Sequence, residues 1–193
     1  LITPAMAAED DVPETYSNAY VVMDAKTGQV LLQKNMYEKE YPASITKILT
    51  TALGLTYAKP EDRITVSQET VSDVWKWGET THLALEPGEI ITLKDALYGA
   101  MVESANDCAN AIAQAVSGSL TDFAELMNQQ VAALGLSDTH FTNAHGLPDK
   151  DHYTTAYDMA RITRWAMTVP GFEEYFCATE YTIPKTNKKD VAR

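Results

Sequence analysis

What most limits this chain is a series of apolar stripes at helical spacing, each cut off by glycine or proline. Leu93, Ala96, Leu97, Ala100 and Met101 recur at i, i+3, i+4, i+7 and i+8, and Ala109, Ile112, Ala113 and Val116 open a second stripe that Gly118 breaks. Leu120, Phe123, Met127, Val131 and Leu134 form a third, closed by Gly135; Met159, Ile162 and Ala166 form a fourth, stopped before Pro170. Start signals agree with these limits. Thr92 with Asp95 makes a capping-box-like pair, Ser119 or Thr121 can cap the third helix, and Thr154 or Thr155 the fourth. One-sided helices must bury their stripes against each other or against a sheet.

A sheet is foreshadowed upstream. Tyr20-Val21-Val22-Met23 and Val30-Leu31-Leu32 flank the turn chemistry of Asp24-Ala25-Lys26-Thr27-Gly28, which predicts a β-hairpin. Runs this apolar predict strands covered by helices. Ile64-Thr65-Val66 predicts a short strand, Ile90-Ile91 leads into the helix after Thr92, and the stretch from Tyr175 to Ile183 predicts a helical turn and then a strand at Glu180 to Ile183. Residues 67–91 have no clear pattern, and Trp75 and Trp77 within them read as packing anchors. The fold class is therefore α+β: an antiparallel sheet begun by the Tyr20 hairpin, helices packed on it, and a mostly helical subdomain at about 64–150.

Composition narrows the function classes. A net charge of −12 over 193 residues argues against nucleic acid, whose binding needs a basic face. No apolar run has the length of a membrane span. Residues 1–8, with the small-x-small site Ala5-Met6-Ala7, read as the remnant of a secretory signal peptide, leaving 9–193 as the folded part and predicting an extracytoplasmic protein. Cys108 falls on a helical stripe and is expected as a buried free thiol, while nothing in the sequence pairs it with Cys177. His82, His140, His145 and His152 show no metal spacing, and no phosphate loop, dinucleotide fingerprint or G-x-S-x-G elbow is present. No metal or cofactor is expected. His145 and His152 read as residues that structure a loop.

The chemistry that remains is Ser44-Ile45-Thr46-Lys47. Pro42 fixes the backbone ahead of it, and Ile45, Ile48, Leu49 and Ala52 predict a helix beginning at about Ser44 with these residues on its buried face. A first-turn serine lies beside free backbone N–H groups at the positive end of the helix dipole, and a lysine three residues on can fold back to its hydroxyl. Hydroxyl and amine within reach form a nucleophile and its base, although such a pair also suits a capping serine with a solvated lysine. Ser104 and Asn106 lie in a polar cluster between two core helices. They can face a cleft, as hydroxyl relay and carboxamide ligand, or cap the helix that follows.

Taken together, Pro42-Ala43-Ser44-Ile45-Thr46-Lys47, Ser104-Ala105-Asn106-Asp107-Cys108-Ala109, Phe141-Thr142-Asn143-Ala144-His145-Gly146-Leu147 and Tyr153-Thr154-Thr155-Ala156-Tyr157-Asp158-Met159-Ala160 resemble the serine D-alanyl-D-alanine carboxypeptidases, low-molecular-mass penicillin-binding proteins of the penicillin-recognising serine peptidase group. The resemblance runs from about Tyr20 to Arg193. It implies a DD-peptidase/β-lactamase-like fold, Ser44 as acylated nucleophile, Lys47 as its base, Ser104 as proton shuttle and Asn106 as substrate ligand. It also implies peptidoglycan stem peptides ending in D-Ala-D-Ala as substrate and β-lactams as covalent inhibitors. Lys47 must be neutral to act as a base, so its pKa must fall from about 10.4 towards neutrality.

One departure matters. The family's third motif, Lys-Thr-Gly on a sheet strand, is not in this sequence, and its role is not carried onto Lys185-Thr186-Asn187. The chain therefore reads as the N-terminal portion of such an enzyme, with further C-terminal strands absent and the remainder a candidate partner chain. Two alternatives stand beside the carboxypeptidase. One is a class A-like β-lactamase, for which Glu125 could be mistaken for the deacylating acid although it reads as solvated helix surface. The other is a non-catalytic cell-wall binding or scaffold protein on the same fold.

Overall fold

The computed structural model describes residues 15–193, so the predicted leader remnant at 1–8 lies outside the described residues. The architecture is built around one helix that neighbours enclose from several sides. This is α4, Asn106–Ser117, where every residue from Asn106 to Ala113 is buried. It packs against α1 (Lys47–Tyr57), α2 (Gln68–Trp75), α3 (Leu93–Val102) and α5 (Leu120–Ala133). Small residues make those crossings possible. A Cβ at Gly54 of α1 would stand 2.9 Å from Ile112, and one at Gly99 of α3 would stand 2.5 Å from the Cys108 sulfur. Cys108 is a fully buried free thiol, as expected, and Cys177 is free and exposed.

The helix limits follow the local signals. Thr92 and Asp95 complete a reciprocal capping box on α3, Ser119 caps α5, and Thr155 caps α6 (Ala156–Ala166). Two large core clusters result, beside a small one of Ala52, Ala166 and Phe172. One gathers Leu93, Leu97, Cys108 and Ile112 between α3 and α4; the other gathers Leu49, Leu53, Phe123, Met127 and Ile162 among α1, α5 and α6. A last short helix, α7 (Phe172–Phe176), packs on α1 and α3.

Strands are few and short among the described residues. β1 (Tyr20–Met23) and β2 (Val30–Lys34) pair antiparallel as the predicted hairpin, with a register shift between Val22 and Met23. α6 packs on β1, yet Val22 and Leu31 are about half exposed, so helices cover this ribbon on one face only. β3 (Arg63–Thr65) pairs with β4 (Ile90–Thr92), a strand where the sequence suggested only the approach to a helix.

Other expectations need correction. Residues 67–91 contain α2, capped by Ser67, and Trp75 and Trp77 at and beyond its end are exposed at 49% and 43% instead of packed. No strand forms at Glu180 to Ile183; instead the Ile183 backbone exchanges two hydrogen bonds with Arg193. Ile45 is exposed, not part of the buried face, because Ala43–Thr46 is a 3-10 turn that advances about 120° per residue and so falls out of phase with α1 behind it.

Candidate active site

The 3-10 turn before α1 brings Ser44 to the floor of a cleft of about 270 Å³. Lys47, the first residue of α1, is only 2% exposed, and its amine reaches three oxygens. They are Ser44 Oγ at 3.4 Å, Ser104 Oγ at 3.3 Å and the His145 carbonyl at 2.9 Å. Asn106 begins α4 and lines the same cleft. Ser44, Lys47, Ser104 and Asn106, separated by up to 62 positions in sequence, therefore meet at one place.

Backbone geometry accounts for the meeting. Ala43 and Ser104 both hold positive φ, 50° and 54°, a region costly for residues with a Cβ. At Ala43 this turns the chain sharply into the 3-10 turn; at Ser104 it reverses the chain between α3 and α4. The N-cap of α4 is Ala105, with no side-chain cap, so the Ser104 hydroxyl is free of the capping role and points to Lys47.

Burial pushes the Lys47 pKa from 10.5 down to about 8. Burial is the cause of this lowering, and the buried Cys108 beside it acts weakly in the opposite direction. The geometry also assigns the amine's hydrogens. A neutral amine has two N–H donors and one lone pair. The His145 carbonyl can only accept, so it takes one N–H. One N–H and one lone pair remain for the two hydroxyls of Ser44 and Ser104, which is the arrangement needed to take a proton from one and give a proton to the other.

The loop at 142–147 forms the adjoining wall. Leu147 N–H donates to His145 Nδ1, so the ring proton sits on Nε2 and is donated to Asp73 Oδ2 at 3.0 Å. Burial holds His145 below its ordinary pKa, in keeping with a neutral ring; the hydrogen bond from His145, with those from Lys76 and Asn110, keeps Asp73 well below the usual carboxylate range. His152 is arranged alike: Thr142 N–H donates to Nδ1, Nε2 meets Thr46 Oγ1 at 2.9 Å, and burial pushes its pKa down to about 4. Gly146 allows the loop to touch the 3-10 turn. A Cβ there would fall 1.8 Å from the Ala43 carbonyl oxygen.

Across the cleft, Glu79, Thr80 and Thr81 form the opposite rim. Asp107, fully buried, anchors the segment behind them by accepting the N–H groups of Leu83 and Leu85 as well as that of Cys108. The sequence assigns no role to Asp73, Asp107 or Gly146, although the last two fall within the family blocks, because the partners that define them are brought up by tertiary contact. Glu125, on α5, is exposed and lines no part of this cleft.

Fold and site together describe an α+β protein in which a Ser-x-x-Lys pair at a helix start faces a second serine from an adjacent helical junction. The D-alanyl-D-alanine carboxypeptidase family profile matches residues 5–191, and the chain belongs to that family. It is 34% identical to D-alanyl-D-alanine carboxypeptidase DacF of Bacillus subtilis, over 96% of this chain and 49% of that protein. The fold matches penicillin binding protein 6B from Escherichia coli with a TM-score of 0.82 at 27% identity, covering 97% of this chain and 62% of that one. A variant of the Streptomyces K15 DD-transpeptidase matches with a TM-score of 0.85 at 26% identity, covering 94% and 73%. The chain spans about half the length of the curated relatives it matches.

Proposed function

We propose that this chain provides the acylating centre of a serine D-alanyl-D-alanine carboxypeptidase that removes the terminal D-Ala from peptidoglycan stem peptides outside the cytoplasm and is acylated by β-lactams. The observation that carries this reading is the contact of one buried amine, on Lys47, with the hydroxyls of both Ser44 and Ser104. Neutral Lys47 takes the Ser44 proton as Ser44 Oγ attacks the penultimate D-Ala carbonyl. The Ser44 N–H, at the start of the helical turn, lacks an intrahelical acceptor and is placed to donate to the developing oxyanion. Ser104 passes the proton from Lys47 to the amine of the departing D-Ala, the C–N bond breaks, and water later hydrolyses the Ser44 ester. Asn106 offers donor and acceptor together to a substrate amide.

The third motif is not among these residues, so substrate turnover is proposed for the full-length protein. No helix among the described residues is long and apolar enough to cross a membrane. Exposure of the full-length protein to benzylpenicillin, followed by peptide mapping, tests the reading. The expected result is one adduct on the peptide containing Ser44, lost in Ser44→Ala, together with release of D-alanine from a D-Ala-D-Ala peptide. Absence of both the adduct and D-alanine release would favour the non-catalytic scaffold reading, and rapid penicillin turnover the β-lactamase.

A further inference from the structure

We propose that Asp73 is a positioning residue for the acylation step: through the His145 ring it holds the backbone carbonyl that orients the Lys47 amine. The inference rests on the Ser44–Lys47 reading and concerns how that site is aimed. The carbonyl of His145 makes the shortest of the three amine contacts, 2.9 Å against 3.3 and 3.4 Å to the hydroxyls. As the only one of the three partners unable to donate, it must take an N–H and so leaves the lone pair for the two hydroxyls.

The His145 peptide is held on several sides. Its N–H and that of Gly146 both donate to Asn143 Oδ1, at 3.2 and 2.7 Å, and its ring accepts from Leu147 N–H at 3.1 Å. These are contacts within the loop, and they move with it. Outside the loop, Thr50 of α1 donates to the Ala144 carbonyl at 2.7 Å, and the His145 ring itself donates Nε2–H to Asp73, on α2 and 72 positions away. Asp73 is itself fixed, since its carboxylate accepts from Asn110 of α4 at 3.0 Å and from Lys76 at 2.6 Å. The path runs from the central helix through Asp73 and a buried imidazole to the carbonyl at the reacting amine. A displacement of about 1 Å at a catalytic group can lower a rate about 100-fold.

The test is benzylpenicillin acylation of the full-length protein, resolved into noncovalent binding and the acylation rate constant. Asp73→Ala is expected to lower the rate constant roughly 10- to 100-fold with binding changed less than about 3-fold. Asp73→Asn keeps an oxygen that accepts from Nε2–H and is expected to restore the rate to within about 3-fold of the parent protein. An unchanged rate constant in folded Asp73→Ala, or an Asp73→Asn as slow as Asp73→Ala, would overturn the proposal. Should Asp73→Ala not fold, Asp73→Ser, whose hydroxyl is too short to reach His145, replaces it. Nitrogen-15 NMR of histidine-labelled parent protein gives an independent reading: a neutral His145 protonated on Nε2 is expected, and protonation on Nδ1 would sink the idea. Failure of the parent protein to be acylated on Ser44 would instead refute the functional reading.

Discussion

The two walls of the cleft are made in opposite ways. The wall containing Ser44 is a contact between backbones: the loop at Gly146 lies directly on the Ala43 carbonyl, with the Thr46–His152 hydrogen bond and the Thr50 hydroxyl, which donates to the Ala144 carbonyl, on either side. The facing wall, residues 79–85, is irregular and is tied to α4 at few points. The buried Asp107 carboxylate accepts from Leu83 and Leu85, the Asn106 N–H donates to the Thr81 carbonyl at 2.9 Å, and Leu85 is buried in the core. Close packing leaves no room for an added atom, whereas a wall held by a few hydrogen bonds loosens when the acceptor of two of them is removed. The nucleophile and base thus sit on the side that cannot adjust, and the rim that a substrate must pass sits on the side held by fewer ties.

Adding one methyl is the strongest way to break that contrast. Gly146 holds φ +91°, and its Cβ would lie 1.8 Å from the Ala43 oxygen and 2.4 Å from the carbon. Because both obstacles are backbone, no rotamer relieves the clash. Gly146→Ala is expected to cost about 4 kcal/mol or more, or to displace Ala43 and Ser44 and reduce penicillin acylation at least about 100-fold. Urea unfolding and acylation kinetics measured on the same sample check it. Near-parental values in both would mean that the loop does not lie where it is described.

Removing the acceptor is the matching experiment on the facing wall. Asp107→Ala leaves the N–H groups of Leu83, Leu85 and Cys108 without their partner and is expected to destabilise by about 2–4 kcal/mol. Because the Ser44 wall is independent of Asp107, the variant's pH dependence of acylation should keep the midpoint of the parent protein. A shifted midpoint would show that the two walls are one unit.

The pH dependence itself has two parts. Activity should rise as Lys47 loses its proton, with a midpoint near pH 8; at pH 7 only about one-tenth of the amine is neutral. For stability, the folded pKa is depressed below the ordinary 10.5, so the unfolded chain binds the extra proton between these values. Stability should therefore increase as pH rises from about 8, relieving about 3 kcal/mol of charge-burial cost in all. Tyr175, pushed up to about 12 by burial, acts in the opposite sense above about pH 10, where the unfolded tyrosine ionises first. Lys47→Met should remove the rise between pH 8 and 10, and denaturant unfolding across that window checks it.

These contrasts also mark what the sequence could disclose. The helices α3, α4, α5 and α6 were legible because apolar residues recur along each at a period near 3.6, even in α3 and α4 where burial extends beyond one face, and because each carries a capping residue or a glycine stop. Ser44 and Lys47 were legible because one helical turn relates them. By contrast, α2 buries only Thr70, Val71 and Val74, too thin a stripe to announce a helix, and it ends in two tryptophans that turned out to face solvent. The three-residue strand β4 is too short for an alternating pattern to show. Ser104 could be placed between two stripes, but its left-handed backbone, which frees the hydroxyl from capping, depends on how α3 and α4 pack. The supports of the site, Asp73, Asp107 and Gly146, act through partners 22 to 103 positions away, so their roles could not be read from the residues beside them, even where those residues form a family block.

The smallest expected effect concerns Glu79, the one carboxylate among the residues lining the cleft. If an acid on this rim activated the water that releases the acyl group, its removal would prolong the acyl-enzyme by orders of magnitude. Glu79 is exposed and belongs to the wall held by few ties, a poor place for a base that must hold a water against an ester within hydrogen-bond reach. Glu79→Gln should therefore change the lifetime of the benzylpenicillin adduct less than about 2-fold, as followed by intact-protein mass spectrometry. An adduct that persists far longer in the variant would give Glu79 the deacylating role and move the protein towards β-lactamase chemistry. It would also mean that the facing wall is as tightly placed as the wall of Ser44.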